Sequence, residues 1–132
     1  MKGETNLSTL LKTMTPELNE GEYVFCTVPH GREINPATII GSFKEKEGIT
    51  VVIHKEDADT LGLPYHFIAA WITLTVHSSL EAVGLTAAFS KALAEAGISC
   101  NVIAGYYHDH IFVAKNDAGK AMEVLRKLSV SF

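Results

Sequence analysis

The spacing of apolar residues changes repeatedly along the chain, and each change marks an element. Leu7, Leu10, Leu11 and Met14 recur at helical spacing, which predicts a short opening helix. Thr15-Pro16 interrupts it, because the residue before a proline is pushed out of the helical region. Glu22 to Val28 is rich in aromatic and β-branched residues and reads as a strand. Thr38 to Lys44 and Ile49 to His54 read as two more, joined by a hairpin turn at Glu45-Lys46-Glu47-Gly48. Lys55 to Leu61 reads as a short helix closed by Gly62. From Phe67 to Val76 a long apolar strand alternates, sending Trp71, Thr73 and Thr75 to one face and Ile72, Leu74 and Val76 to the other. Leu85, Ala88, Phe89, Ala92, Leu93 and Ala96 then form one stripe on a helix that Gly97 ends. Cys100 to Tyr107 and His110 to Lys115 read as strands joined by a tight turn near His108-Asp109. A last helix is expected from Asp117 to Leu128, with Asn116 able to cap it, followed by a short closing strand over Val130 to Phe132.

Strand, helix, strand, strand, helix, strand is the ferredoxin-like βαββαβ order, and the C-terminal half follows it. The N-terminal half follows the same plan with its first helix reduced to the Pro29–Ala37 loop. The expected fold class is therefore α+β, with two ferredoxin-like units and helices on one face of mainly antiparallel sheets. The N-terminal unit, residues 1–66, is the degenerate one, and residues 67–132 form the second.

Composition narrows the function. The 132 residues are 47% hydrophobic and 20% charged, which is globular and excludes disorder for most of the chain. A net charge of −4 disfavours a nucleic-acid partner, which needs a basic face. The longest low-charge run, Phe67 to Leu80, is too short to cross a bilayer, so no membrane partner is expected. Two cysteines do not make a disulfide framework, and a cytoplasmic location is expected.

The segment WITLTVHSSLEAVGLTAAFSKALAEAGISCNVIAGYYHDHIFV, from Trp71 to Val113, resembles an ACT domain, the small regulatory fold that senses amino acids and related metabolites. The N-terminal stretch MTPELNEGEYVFCTVP resembles the opening of short bacterial proteins built from two tandem ACT-like units. The resemblance implies two ACT-type units and a ligand at an interface between such units. It places the ligand between the loop that follows the first strand and the second strand of a partner unit. Here those positions are His77, Ser78, Ser79, Glu81, Val83, Gly84 and Leu85, with Asn101, Val102 and Ile103 on the strand. Many amino-acid-binding members carry an Asp and a Pro before the glycine. This chain has neither, because Val83 precedes Gly84 and the loop's polar groups come from His77, Ser78, Ser79 and Glu81. The implied partner is an amino acid or related metabolite, bound by a homodimer.

Each candidate also has a plain structural role. Gly84 before the helix admits a ligand to free N–H groups at the positive end of the helix dipole, or simply permits the turn. Ser78 and Ser79 bind a ligand or cap local backbone, and Glu81 meets an amino group or only solvent. The Asn101 amide offers donor and acceptor to an α-amino acid, whereas Val102 suits the core. His108 and His110, two residues apart around Asp109, carry the alternative reading of a metal protein or small enzyme. The turn favoured by His108-Asp109 argues against it. Arg32, in Pro29-His30-Gly31-Arg32-Glu33, offers an anion site or an ordinary surface loop. Cys26 and Cys100 sit in apolar strand patterns and read as inert thiols. No nucleophile elbow, phosphate-binding loop or paired zinc motif occurs in the sequence. Neither catalysis, a cofactor nor a bound metal is therefore expected. The remaining alternative is a ligand-free oligomerisation or protein-interaction module.

Overall fold

A computed structural model of the chain describes residues 6–75 and 83–130. Helix α1 spans Leu7–Thr13, β1 Thr15–Val28, β2 Gly41–Lys44, β3 Ile49–His54 and α2 Lys55–Leu61. There follow β4 at Ile68–Thr75, α3 at Leu85–Glu95, β5 at Asn101–Ala104, β6 at Asp109–Ala114 and α4 at Ala118–Val130. Two compact units result, and they do not follow the chain linearly. The larger combines Met1–Glu20 with Ala70–Phe132, and the smaller is Gly21–Ala69.

In the larger unit the strands are hydrogen-bonded in the order β5-β6-β4-β1. That is the ferredoxin-like order second, third, first, fourth, with α3 and α4 as its two helices. The fourth strand is not Val130 to Phe132. Helix α4 runs on through Ser129 to Val130, and the final two residues lie outside the described region. Thr15 to Glu20, the first part of β1, takes that place. The register of β5 on β6 is antiparallel and sets Asn101 opposite Phe112 and Ile103 opposite His110. The core lies between this sheet and α1, α3 and α4. Ile72, Leu74, Ile111 and Val113 from the strands meet Leu85, Phe89 and Leu93 of α3 and Ala121, Met122 and Leu125 of α4. Leu10, Leu11 and Met14 complete it, at 0, 0 and 2% exposure. The alternation read for β4 holds, since Ile72 and Leu74 are core residues while Trp71 and Thr75 are half-buried on the other face. Gly97 has φ +76°, and the Ile98 N–H donates to the Leu93 carbonyl, which closes α3 as expected.

The smaller unit orders its strands β2-β3-β1, followed by β4, of which it holds only Ile68 and Ala69. β3 is antiparallel to both of its neighbours. The Glu45 N–H donates to the Gly48 carbonyl and closes the expected hairpin. Between β1 and β2 the only helical feature is one 3-10 turn, Pro36–Thr38. The first helix of the plan is thus reduced to loop. A second core forms from Val24, Cys26, Val28, Val51 and Ile53, with Ala58 of α2.

Four boundaries differ from those the sequence predicts. β1 starts at Thr15 rather than Glu22, because the proline that stops the helix leaves its predecessor extended, a conformation a strand can continue. β2 starts at Gly41, since Thr38 belongs to the 3-10 turn. Asn116 does not cap α4; it sits inside a second 3-10 turn, Lys115–Asp117, and α4 begins at Ala118. The last hairpin turns at Tyr106-Tyr107, two residues before the predicted place. The Gly105 N–H donates to the His108 carbonyl at 2.9 Å, so His108 already faces its cross-strand partner.

Candidate functional site

His77, Ser78, Ser79 and Glu81 lie outside the described residues. Val83, Gly84 and Leu85 lie at the entry to α3. Gly84 is its N-cap, with φ +95° and no side-chain cap hydrogen bond. A residue with a Cβ is strained at such a φ, so glycine is needed for backbone reasons alone. A Cβ placed there would stand 3.2 Å from Leu7 Cδ2. The close approach seen at Gly84 is therefore that of α1. Leu85 points into the core, and Val83 is 83% exposed.

On β5, Asn101 is exposed and its side-chain amide donates to the Phe112 carbonyl at 3.3 Å. Val102 packs against the core cluster, and Ile103 is 39% exposed on the opposite face. Phe112, which faces Asn101 across β5 and β6, stacks on Trp71, and His110, which faces Ile103, bonds to both Trp71 and Thr73. β4 continues to Thr75. At roughly 3.3 Å per strand residue, Ile103 lies about 7 Å further along β5 than Asn101, on the side of Thr73 and Thr75. The strand thus brings Ile103 nearer than Asn101 to the end of β4 from which the candidate loop departs.

The helix-free face of the larger unit holds a polar network that sequence reasoning missed. The Trp71 indole N–H donates to His110 Nδ1 at 3.1 Å. Thr73 Oγ1 is 3.2 Å from the same nitrogen, and it accepts from the Asn19 amide at 2.9 Å. Asn19 also donates to the Trp71 carbonyl at 3.2 Å. An indole N–H can only donate, so His110 Nδ1 is an acceptor and its ring is neutral, with the proton on Nε2. Burial, with help from His108, pushes the His110 pKa below the usual histidine value. Asp109 is 9% exposed, and burial raises its carboxyl pKa. The only signal for this network in the sequence was the shared parity of Trp71 and Thr73. Asn19 could not be found while β1 was expected to begin at Glu22.

This network weakens the metal reading, since the Nδ1 lone pair of His110 is committed to the indole. Among the described residues no group of three or more His, Cys, Asp and Glu side chains could hold an ion. Cys26 is buried and Cys100 half-buried, and burial raises both thiol pKa values. Raised values leave little thiolate at neutral pH, as an inert thiol requires. No helix among the described residues is long and apolar enough to cross a membrane.

Two family models of the ACT domain match the chain in tandem, one over residues 2–70 and the other over 67–127. The chain belongs to the ACT-domain family. The two matches divide it sequentially, whereas the packing of this ACT protein assigns residues 1–20 to the same unit as 70–132. A protein of unknown function from Vibrio cholerae, described as a possible transport protein, is 52% identical. The similarity covers 93% of this chain and 95% of that one, with a TM-score of 0.84. The ligand-free regulatory subunit of aspartate kinase from Thermus thermophilus shares the fold at 10% identity, covering 89% of this chain and 99% of that one, with a TM-score of 0.60. The aspartate kinase of Clostridium acetobutylicum does so at 12% identity, over 95% of this chain and 36% of that enzyme, with a TM-score of 0.63. No curated protein matches the chain. ACT domains are regulatory modules, and two of them in tandem point to regulation by a small molecule.

Proposed function

We propose that this protein is a non-catalytic cytoplasmic regulator that binds an amino acid or related metabolite as a homodimer. The ligand sits on the loop before α3, from His77 to Leu85, and on Asn101 to Ile103 of β5, against an ACT unit of a second copy. The division of the sequence into ACT repeats at 1–66 and 67–132 belongs to the same reading, with residues 1–20 of the first repeat completing the packed unit of the second. The observation that carries it is the entry to α3. Gly84 caps the helix without a side-chain acceptor, so a ligand carboxylate can take the first N–H groups at the positive end of the dipole. Output passes to a partner chain through the ligand's differing affinity for two states.

The test is a thermal-shift titration of the full chain against the twenty amino acids. A ligand at about 100 times its Kd stabilises by about 2.7 kcal/mol, which is a shift of several degrees at this size. The expected result is a selective shift that Ser79→Ala and Asn101→Ala each reduce. No shift with any amino acid overturns the reading. Gly84→Val is a poor probe, because the backbone at φ +95° and the Leu7 contact make it a folding variant.

A second reading has its own observation. β5 ends the strand order of its unit, and Ile103, Tyr106 and Tyr107 beside it are 39, 81 and 69% exposed. Open strand edges flanked by exposed aromatics favour self-association. Under this reading the chain is an oligomerisation module, stable as a dimer with no ligand. Dissociation of the dimer by Tyr106→Ser with Tyr107→Ser, seen in light scattering, is its expected signature.

A further inference from the structure

The smaller unit lacks the helix that its plan places between β1 and β2. In the place of that helix, residues 29–40 form a loop with a single 3-10 turn, Pro36–Thr38. A cavity of about 650 Å³ remains beneath it. Its floor is Val28 of β1, Ile49 and Val51 of β3 and Ser42 of β2, and Ile34 and Ile39 reach over it from the loop. Ser42 stands directly opposite Val51, so its hydroxyl shares the floor's face. Two side chains of opposite charge, Arg32 and Glu33, are among the residues that line it. The Arg32 guanidinium donates through Nη2 to the Leu61 carbonyl at 3.3 Å. That bond ties it to the C-terminal end of α2 while using one of its five N–H donors.

A volume of this size falls within the range of small-molecule sites, which pair an apolar body with a few polar groups that fix orientation. The apolar floor takes a hydrocarbon side chain. One cation and one anion in the lining match a zwitterion, with a carboxylate on Arg32 and an ammonium on Glu33. From this geometry we infer that the degenerate unit carries its own site for a zwitterionic amino acid with a bulky apolar side chain. The site lies over the sheet, in the space of the missing helix. It involves none of the residues at the entry to α3 or on β5, and it stands or falls independently of the reading given above.

L-phenylalanine is the probe, with 3-phenylpropanoate lacking the ammonium and phenethylamine lacking the carboxylate. Amide chemical shifts of the full chain are followed during titration. The expected result is saturable movement confined to residues 28–51, with each analogue binding at least tenfold more weakly. Arg32→Ala should weaken phenylalanine by at least tenfold. Ser42→Phe, an aromatic residue on a strand that tolerates one, should fill the floor and abolish binding while the remaining spectrum stays native. Movement confined to residues 83–103 overturns this inference and supports the α3 site instead. Equal binding of all three compounds, or an unchanged affinity in Arg32→Ala, overturns it by removing the charge pair from recognition. Absence of any movement at millimolar phenylalanine overturns it outright.

Discussion

Severing the first 20 residues from the C-terminal half should unfold that half, although its own sequence reads as a complete domain. Leu10, Leu11 and Met14 are 0, 0 and 2% exposed, and all three sit in the core shared by β4, β6, α3 and α4. Burying each such side chain contributes about 1.5–3 kcal/mol, so the three together contribute about 5–9 kcal/mol. Thr15 to Glu20 add the fourth strand, and the Ser129 hydroxyl donates to the Met14 carbonyl at 3.2 Å, tying α4 to the same segment. A domain's net stability is about 5–15 kcal/mol, so the loss is of the size of the whole. A fragment of residues 67–132 should therefore lack a cooperative urea transition. A peptide of residues 1–20 added to it should restore one. Trp71, the chain's single tryptophan, lies in this unit and reports the transition by its fluorescence. In the full chain, Leu10→Ala should cost about 2–5 kcal/mol. A fragment that unfolds cooperatively within about 1 kcal/mol of the full chain would show that stability does not reside in the opening segment.

Phe89 is fully buried at the centre of the α3 stripe, and Phe89→Ala should cost about 3–5 kcal/mol in the same urea assay, whereas Lys91→Ala on the exposed side should stay within about 0.5 kcal/mol. His110 should make stability depend on pH: its folded pKa is depressed, so the unfolded state binds more protons, and stability is full above the ordinary histidine value and lost as pH falls through the folded value. The Trp71 emission should change over the same window as its acceptor protonates, and His110→Gln should flatten both curves; a slope unchanged in that variant would assign the effect elsewhere. Asp109, whose pKa is raised by burial, acts with the opposite sign: its folded form holds the proton more tightly, so stability falls as pH rises from the ordinary aspartate value through the raised one. Asp109→Asn should remove that component.

What could be read from the sequence was what periodicity encodes. α3 is legible because Leu85, Phe89 and Leu93 bury one stripe and Gly97 stops it. β4 is legible because alternation from Trp71 separates core from helix-free face. The shift of the last hairpin to Tyr106-Tyr107 was not legible, since neither residue carries a turn preference and His108-Asp109 does. The early start of β1 was hidden by its composition. Thr15 to Glu20 bury too little to show alternation, and the proline signals only where the helix ends. The candidate ligand set was legible only as a family pattern. Its polar loop residues fall outside the described region, and the row spacing on β5 separates Asn101 from the strand end that Ile103 approaches.

The misread strand matters more than its six residues suggest. A strand expected from Val130 to Phe132 would have made the second ACT unit self-sufficient and the chain a linear pair. With Thr15 to Glu20 in that place, the unit containing α3 depends on the segment that leads directly into the smaller unit through Gly21. α1 also enters the candidate site itself, because Leu7 is the group that approaches Gly84. A ligand that binds at the entry to α3 must therefore either accept Leu7 as a wall or displace it. Displacement would draw on the packing of α1, whose Leu10 and Leu11 are buried in the core. Binding energy spent there would shift the stability of the opening segment, and β1 follows that segment after a single residue. Substituting Leu7 by alanine would then separate the two cases: an affinity that rises means that the side chain was being displaced, and one that falls means that it was part of the wall.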